Sequence, residues 1–568
     1  KAQELIQAIK VNQKLSKDEI ITRYLNTIYL GDGAYGVQAA AHAYFGPDKD
    51  VKDLTVSQSA FLAGIINAPS LSDPRNSKEQ KARAMRRWNV VLDAMVTEKW
   101  LDPATRAKQV WPKFAPKSDS ITVTSTSQNG YLQDMVVKEA AEKYKISEED
   151  LRTGGYKITT TFNKAMVKAG AQAVKAMLPK VKDRPKGLRI GMASIDPATG
   201  AVKAIYGGSK YVGAQNNNAT IDRAQAGSTF KAFGLIAALE DGASLRTKYK
   251  SDSPVVIDGQ TIGNASDGES SGYQDLIDST AHSLNTVYVQ LNKDVGISKM
   301  RDAALAAGIP ESAKIKNNLT NVLGSADPHA IDMAAAYATF AAEGIRREPY
   351  TIEHITYLGT GEDAVSEKDV NDATKGKRVF RKETVADLTY ALEQVVNRGT
   401  GVYARRLGFP VAGKTGTSQE STSAWFAGYT PQLSTSVMMY QPGTIKVKGK
   451  KVPSNLPMKG FGIHPSGIFG GGYPTEIWTK YMETVMQGKK VEDFPPPVFG
   501  GKSINQAPAT IAPTQPADPT QKPNPDPTTA PTPDPDPTPT QSPDPIVTEP
   551  VPTRSRFPGV TVAPTAGQ

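Results

Sequence analysis

The spacing of apolar residues predicts a helical unit at the start of the chain. Ser16 followed by Glu19 is a capping-box pattern, which predicts that a helix begins directly after Ser16. The apolar face of this helix is predicted from residues that recur every three or four positions: Ile20, Ile21, Tyr24, Leu25 and Ile28. Because residues 54–66 and 82–96 repeat the helical pattern, residues 1–96 are predicted to be mostly α-helical.

The next two segments differ in pattern. Residues 97–190 are mixed and typical of a connecting region, with a charged helix predicted at 132–144 and an alternating strand at 156–161. From residue 191 onward, strand patterns flank clear turns. A hairpin is predicted around the turn sequence Asp-Pro-Ala-Thr-Gly at 196–200, with strands at 192–195 and 202–206.

Further elements complete this second unit. A second strand pair is predicted at 425–429 and 435–440, and alanine-rich stretches such as 331–342 predict helices. Residues 191–495 are therefore predicted to form an α+β unit in which helices cover an antiparallel sheet.

The last segment of the chain, residues 496–568, consists mainly of Pro, Thr, Asp and Ala. Such a sequence cannot bury enough apolar surface to offset its ordering entropy, so we predict a disordered tail. The tail could act as a spacer through a cell wall or as a docking segment, but a solvated tail without a partner is the simpler interpretation.

Composition limits the possible chemistry and partners. The 568 residues include no cysteine, which excludes a disulfide framework, a zinc–thiolate site and a cysteine nucleophile. The formal charge of +10 favours polyanionic partners such as anionic wall polymers or a membrane surface. Nucleic acid is not predicted, because no dense basic run with interleaved aromatic residues occurs. Neither a metal ion nor a cofactor is predicted.

Three short motifs in the second unit carry candidate chemistry. The first is Ser-x-x-Lys at Ser228 and Lys231, where Gly227 precedes and a helical run at 232–239 follows. This context predicts Ser228 at a helix N-terminus, which favours developing negative charge. Lys231, three residues on, lies on the same helical face and could act as the general base if its pKa is depressed.

The second motif is Ser283-Leu284-Asn285. Ser283 could pass a proton between Lys231 and a leaving amine, and the Asn285 amide could hold a substrate carbonyl. On its own this pattern is weak, because the chain holds two further Ser-x-Asn sequences, at 127–129 and 503–505.

The third motif is Lys414-Thr415-Gly416-Thr417. Lys414 would depress the pKa of Lys231 and attract a carboxylate, which the hydroxyl groups of Thr415 and Thr417 can bind. Gly416 permits close approach of the backbone to a substrate, and the N–H groups of Thr417 and Ser228 would form an oxyanion hole. Each motif alone is usually a surface pair or a turn. All three in this order predict serine acyl transfer.

With these motifs, residues 191–493 resemble the transpeptidase domain of class A penicillin-binding proteins. Further stretches that carry the resemblance are 196–202, 334–340 and 425–431. The resemblance implies that Ser228 attacks the penultimate D-alanine carbonyl of a peptidoglycan stem peptide and that a second stem amine accepts the acyl group. It also implies that β-lactams, which mimic the donor, acylate Ser228.

The first helical unit resembles part of the peptidoglycan glycosyltransferase family, which is all-α and lysozyme-like. The resemblance rests on residues 1–4, 16–17, 24–26 and 87–92, and Glu4 would match the second active-site glutamate of that family. The two preceding motifs would lie before residue 1. We therefore expect that the chain as given does not polymerise glycan from lipid II, whereas a longer bifunctional parent does.

The resemblance also implies a location. No stretch reaches the length of a membrane span, and we expect an anchor upstream of residue 1 that holds the protein at the extracytoplasmic face of the plasma membrane. The proline-rich tail and the alanine-rich helices are typical of an actinobacterial member. Three alternatives remain open: a D,D-carboxypeptidase, a β-lactamase, and a non-catalytic β-lactam-binding scaffold.

Overall fold

The structure is a computed structural model that describes residues 11–46, 48–117, 128–178, 181–209, 211, 216–265, 271–357, 361–447 and 449–504. Glu4 and the tail beyond residue 504 lie outside the described residues. In the described part of the chain, no helix combines the length and apolar character that crossing a bilayer requires.

The first part of the chain is helical. Its helices are α1 (Lys17–Thr27), α2 (Val37–Phe45), α3 (Val56–Ile65), α4 (Lys78–Thr97) and α5 (Pro103–Ala107). The Ser16 hydroxyl and the Glu19 carboxylate form the predicted reciprocal cap at the start of α1. The predicted apolar face of α1 is only partly covered, since Ile21 and Tyr24 stay 55% and 47% exposed. No residue of α1 is buried among the described elements.

The rest of the described chain alternates helices and strands. The first group is α6 (Asn129–Tyr144), α7 (Glu148–Thr153), β1 (Tyr156–Thr160), α8 (Lys164–Met177), β2 (Arg189–Ile195), β3 (Val202–Tyr206) and α9 (Lys231–Glu240). The second group is β4 (Lys248–Lys250), β5 (Val255–Ile257), β6 (Gln260–Ile262), β7 (Tyr273–Asp275), α10 (Leu276–Ala281), α11 (Asn285–Val295), α12 (Ile297–Ala307) and α13 (Ala330–Ala341).

The remaining elements run to the end of the described chain. The third group is β8 (Ile345–Arg346), β9 (Ile352–Tyr357), β10 (Asp363–Val365), α14 (Glu367–Ala373), β11 (Lys377–Arg378), α15 (Lys382–Asn397) and β12 (Ala412–Thr417). The last group is β13 (Ser423–Thr430), β14 (Leu433–Tyr440), β15 (Pro442–Val447), β16 (Lys450–Asn455) and α16 (Tyr473–Met486).

A five-stranded antiparallel sheet organises this second part, in the order β12-β13-β14-β2-β3. Successive residues of a strand point to opposite sides of the sheet, and here both sides are buried in a hydrophobic core. Trp425 and Ala427 of β13 join one hydrophobic core, whereas Ala424 and Phe426 join the other. Helices α8 and α16 pack together on one face, and α13 packs on the other. The predicted α+β unit with a helix-covered antiparallel sheet is thereby confirmed.

Core packing crosses the unit boundaries that the sequence suggests. Trp111 and Phe114, from the predicted connecting region, pack into the core of the first helical unit. Helix α8, from the same region, packs on the central sheet. Residues 498–500, predicted as part of the tail, donate three backbone hydrogen bonds to the buried carboxylate of Asp387. The sequence predicted a connecting region here, but neither helix α8 nor these packing partners.

Candidate active site

Ser228 lies in a 3₁₀ turn, Gly227–Phe230, that continues directly into α9 at Lys231. The α-helix thus begins three residues later than the motif predicts, and Ser228 occupies the turn before it. Gly227 adopts φ +55°, a left-handed conformation that favours glycine. Its N–H donates to Gly324 O at 3.0 Å, which fixes the backbone beside a serine whose side chain remains partly exposed.

Lys231 is fully buried and connects the first motif to the second. Its Nζ lies 2.5 Å from Ser283 O, 2.7 Å from Asn285 Oδ1 and 3.1 Å from Ser283 Oγ. Burial lowers the pKa of Lys231 well below its usual range, and the nearby Lys414 lowers it further. The Nζ also lies 5.6 Å from the centre of the Tyr288 ring.

These three contacts fit a neutral amine. All three oxygens can accept from Lys231 Nζ, and the Ser283 hydroxyl can also donate, so a neutral amine is accommodated with its two N–H groups on the carbonyl oxygens and its lone pair facing the hydroxyl. Within the described residues, Lys231 Nζ has no hydrogen bond to Ser228 Oγ, its neighbour on the same helical turn. Catalytic hydrogen bonds often tighten only when substrate is bound.

Local backbone geometry aims the second motif at Lys231. Ser283 follows the end of α10 with φ +60°, an uncommon conformation for serine, and its carbonyl and hydroxyl both reach Lys231. Asn285 is the first residue of α11, and its Nδ2 donates to Gly263 O at 2.9 Å. Because the amide nitrogen has two hydrogens, one remains for a substrate carbonyl.

The third motif lies on β12, an edge strand of the central sheet, directly against the turn that holds Ser228. A methyl group added at Gly416 would lie 2.4 Å from Ala226 O, so only glycine fits there. Ser418 N donates to Ser423 O on β13, and backbone groups alternate along an antiparallel strand. The N–H of Thr417 therefore points away from β13, toward the open edge and Gly227.

Lys414 is also fully buried, and burial lowers its pKa to about 7. Its Nζ lies 3.3 Å from Thr415 O. Among the described residues no carboxylate forms an ion pair with Lys414 or with Lys231. A buried ammonium group without an acidic partner is costly, and an anion that binds beside Lys414 would relieve that cost.

The two threonine hydroxyls of the motif differ in availability. Thr415 is buried and pairs with Thr400 Oγ1 at 2.6 Å, whereas Thr417 is partly exposed. Thr417 Oγ1 accepts a hydrogen bond from Gly470 N at 3.1 Å, which leaves its own hydrogen free to donate. The roles of Thr400 and Gly470 were not predicted from the sequence, although the Gly-Gly-Gly run at 470–472 was a visible signal of close backbone approach.

The structure thus brings eight of the predicted site residues to one end of α9 and β12: Ser228, Lys231, Ser283, Asn285, Lys414, Thr415, Gly416 and Thr417. Glu4, the ninth, lies outside the described residues. Within the described residues no group of three or more histidine and acidic side chains is placed to hold a metal ion.

Comparison with known proteins gives two family matches. Residues 190–453 match the family described as penicillin binding protein transpeptidase domain, and residues 1–96 match the family described as transglycosylase. Penicillin-binding protein 1A of Mycolicibacterium smegmatis is 36% identical over 552 residues, which is 92% of this chain and 66% of that protein. Penicillin-binding protein 1A of Mycobacterium tuberculosis is 36% identical, covering 88% of this chain and 60% of that protein.

Solved structures agree with this match. The structure of PonA1 from Mycobacterium tuberculosis in complex with penicillin V has 31% identity and a TM-score of 0.56, covering 67% of this chain and all of that chain. Penicillin-binding protein 1A from Haemophilus influenzae, at 23% identity, shares the fold with a TM-score of 0.60 over 87% of this chain and 89% of its own. The chain therefore spans 66% and 60% of the length of the two mycobacterial relatives named above.

Proposed function

The chain belongs to the class A penicillin-binding proteins, and we propose that its sheet unit is a serine D,D-transpeptidase that cross-links peptidoglycan stem peptides through Ser228. The observation that carries the proposal is the pair of buried lysines, Lys231 and Lys414, which lie beside the turn of Ser228 and have no acidic partner among the residues that the structure describes. A donor peptide that ends in D-alanine brings the carboxylate that this site lacks.

Acylation would begin with neutral Lys231. Lys231 Nζ takes the proton of the Ser228 hydroxyl as Oγ attacks the carbonyl carbon of the penultimate D-alanine. The negative charge on the carbonyl oxygen is stabilised by the N–H groups of Ser228 and Thr417. The C–N bond to the terminal D-alanine then breaks, and the proton passes from Lys231 through the Ser283 hydroxyl to the leaving amine.

Deacylation reverses the roles. The amine of a second stem peptide attacks the ester carbon, and its proton returns to Ser228 Oγ through the same groups as the ester bond breaks. Throughout, the terminal carboxylate of the donor would be held by Lys414 and by the Thr417 hydroxyl, with Thr415 supporting the strand. The Asn285 amide would hold a backbone carbonyl of the donor with its free hydrogen.

A β-lactam would enter the same steps and stop after acylation. The penicillin V complex of the mycobacterial relative supports β-lactam binding for this chain. In a β-lactamase or D,D-carboxypeptidase, water replaces the acceptor amine and needs a base of its own. Class A β-lactamases use a glutamate for this step, and the described hydrogen bonds of Lys231 run to carbonyl and hydroxyl oxygens and include no glutamate, which argues against a β-lactamase.

We also propose a setting for this activity. Glycan polymerisation from lipid II would belong to a longer bifunctional parent, in which Glu4 assists the sugar acceptor or the departing pyrophosphate. The substrates of the parent place it at the extracytoplasmic face of the plasma membrane. The net charge of +10 supports contact with anionic wall polymers or an anionic membrane surface.

Intact-mass measurement after incubation with a penicillin tests the first step. We expect one stable adduct that maps to the Ser228 peptide in the wild type and none in Ser228→Ala. Ser366→Ala, which removes a helix cap on α14, is the matched control and should be acylated normally. Rapid regeneration of free enzyme would favour a β-lactamase.

A cross-linking assay with lipid-linked precursor and preformed glycan strands tests the whole reaction. Labelled dimeric stem peptides should form in the presence of wild-type protein and disappear with Ser228→Ala. Release of D-alanine without dimers would favour a carboxypeptidase, and a stable penicillin adduct without either product would favour a non-catalytic scaffold. Dimers formed by the alanine variant would contradict the mechanism.

A further inference from the structure

The loop of residues 456–472, which connects β16 to α16, lies against the strand that carries the third motif. Gly470 N donates to Thr417 Oγ1 at 3.1 Å. A methyl group at Gly470 would lie 2.8 Å from Gly416 N and 2.4 Å from Trp425 O, so the loop and β12 are in direct backbone contact. Any movement of this loop therefore moves Gly470 N–H, which donates to the Thr417 hydroxyl oxygen.

A contact between the partly buried His464 and the buried Glu476 joins this loop to α16. His464 Nε2 and Glu476 Oε1 are 2.8 Å apart, and Glu476 lies in the first turn of α16. The His464 ring packs edge-on against Phe469 and Tyr473, at 5.4 Å and 4.7 Å between ring centres. A methyl group at Gly472 would lie 3.1 Å from the ring, so the loop closes tightly around it.

Glu476 depends on His464 as its polar partner. Its side chain is only 4% exposed, and within the described residues its second oxygen, Oε2, has no hydrogen-bond partner. A buried carboxylate that loses its partner must either take up a proton or reach water. Since α16 packs on the central sheet, the less constrained response is displacement of the loop.

The loop position decides what the Thr417 hydroxyl can do. While Gly470 N–H donates to Thr417 Oγ1, the hydroxyl hydrogen is directed away from Gly470 and is available to donate to a carboxylate. We propose that the His464–Glu476 pair is a positioning device that makes Thr417 a donor to the terminal carboxylate, so that it sets the selectivity of the site for carboxylate-bearing ligands. This inference rests on the proposed function, in which that carboxylate is bound beside Ser228.

The test compares a penicillin with its methyl ester, which lacks the anionic carboxylate. The measured quantity is the ratio of the two second-order acylation constants, followed by intact mass on the full chain. His464→Leu replaces the imidazole by an apolar side chain of similar size and removes the polar partner of Glu476. It should lower acylation by the acid about 10-fold and acylation by the ester less than about 2-fold. His464→Gln restores an N–H donor to Glu476 and should recover most of the ratio.

A double-mutant cycle identifies the route of the effect. Thr417→Val should itself reduce the acid-to-ester ratio, and adding His464→Leu should reduce it by no more than about 2-fold again, because both changes remove the same interaction. His354→Ala is the matched control: His354 lies on β9 beside Thr159, in a separate sheet, and its loss should leave the ratio unchanged.

Three results would overturn the inference. Equal loss with the acid and the ester would show a merely structural role, and additive losses in the double variant would show that His464 does not act through Thr417. If His464→Leu fails to fold, Glu476→Gln in that background removes the unpaired charge, and an unchanged ratio in this variant would also refute the inference. Absence of Ser228 acylation in the wild type would instead refute the proposed function.

Discussion

Replacement of Gly416 by alanine should separate the third motif from the first. The added methyl group would lie 2.4 Å from Ala226 O and 2.8 Å from Thr229 Cγ2, about 1 Å inside ordinary contact. The nearest atom belongs to the backbone of the turn that carries Ser228, so no flexible side chain can yield. Either β12 or the 3₁₀ turn must therefore move by an amount comparable to this overlap.

The magnitude follows from that displacement. Overpacking in a rigid core costs about 1–3 kcal/mol of folding free energy. A misplacement of about 1 Å near reacting groups can cost about 10²-fold in rate, or about 2.7 kcal/mol, so the effect on acylation should match the upper end of the effect on stability. We expect Gly416→Ala to fold, to melt a few degrees lower, and to react with a fluorescent penicillin about 10²-fold more slowly.

Gly467→Ala provides the matched control for this prediction. Gly467 lies in the loop beside β12, and a methyl group there would have nothing within 4 Å. Stopped-flow acylation and thermal unfolding should be measured on both variants. The argument is refuted if Gly416→Ala reacts at the wild-type rate with an unchanged melting temperature, or if Gly467→Ala loses as much activity.

Three further predictions follow from buried charges. Lys231→Met should lower acylation by about 10²–10⁴-fold and change thermal stability little, because removal of a buried amine that has no acidic partner among the described residues offsets the loss of its hydrogen bonds to Ser283 and Asn285. The second-order acylation constant for a carboxylate-bearing penicillin should fall as pH rises through about 7, because Lys414 loses its proton there. Initial rates measured across this pH range test the prediction. Asp387→Ala should lower the free energy of unfolding by about 2 kcal/mol in urea titrations, because it leaves three N–H donors of residues 498–500 without a partner. Acylation by that variant should stay normal.

Local chemistry explains which parts of the fold could be predicted. The hairpin at 192–206 follows from alternating residues around a turn sequence, and the start of α1 follows from the Ser16–Glu19 cap, both encoded within a few residues. Helix α8 was not predicted, and its residues were assigned only to the connecting region. Its apolar face does not specify a partner, and its position on the central sheet depends on strands that lie far away in the chain.

The candidate site shows the same limit. Short motifs identified the residues, because the chemistry restricts residue type and spacing within each motif. The start of the α-helix was misplaced by three residues, since the motif does not distinguish a 3₁₀ turn from the first turn of an α-helix. His464 and Glu476 were not predicted, because no local pattern links either residue to Thr417, about 50 positions earlier.

The two buried lysines should respond differently to a bound carboxylate. Burial alone lowers the pKa of Lys414 to about 7, so in the empty site its ammonium and amine forms are about equally populated at neutral pH. A carboxylate that binds Lys414 stabilises the ammonium form and fixes a positive charge near Lys231. That charge is one of the two causes that disfavour protonation of Lys231, the other being burial. The carboxylate itself carries a negative charge that offsets part of the effect of the Lys414 charge, so burial is what keeps Lys231 neutral when Ser228 must be activated. A ligand without the carboxylate therefore loses the contact with Lys414 but keeps the base.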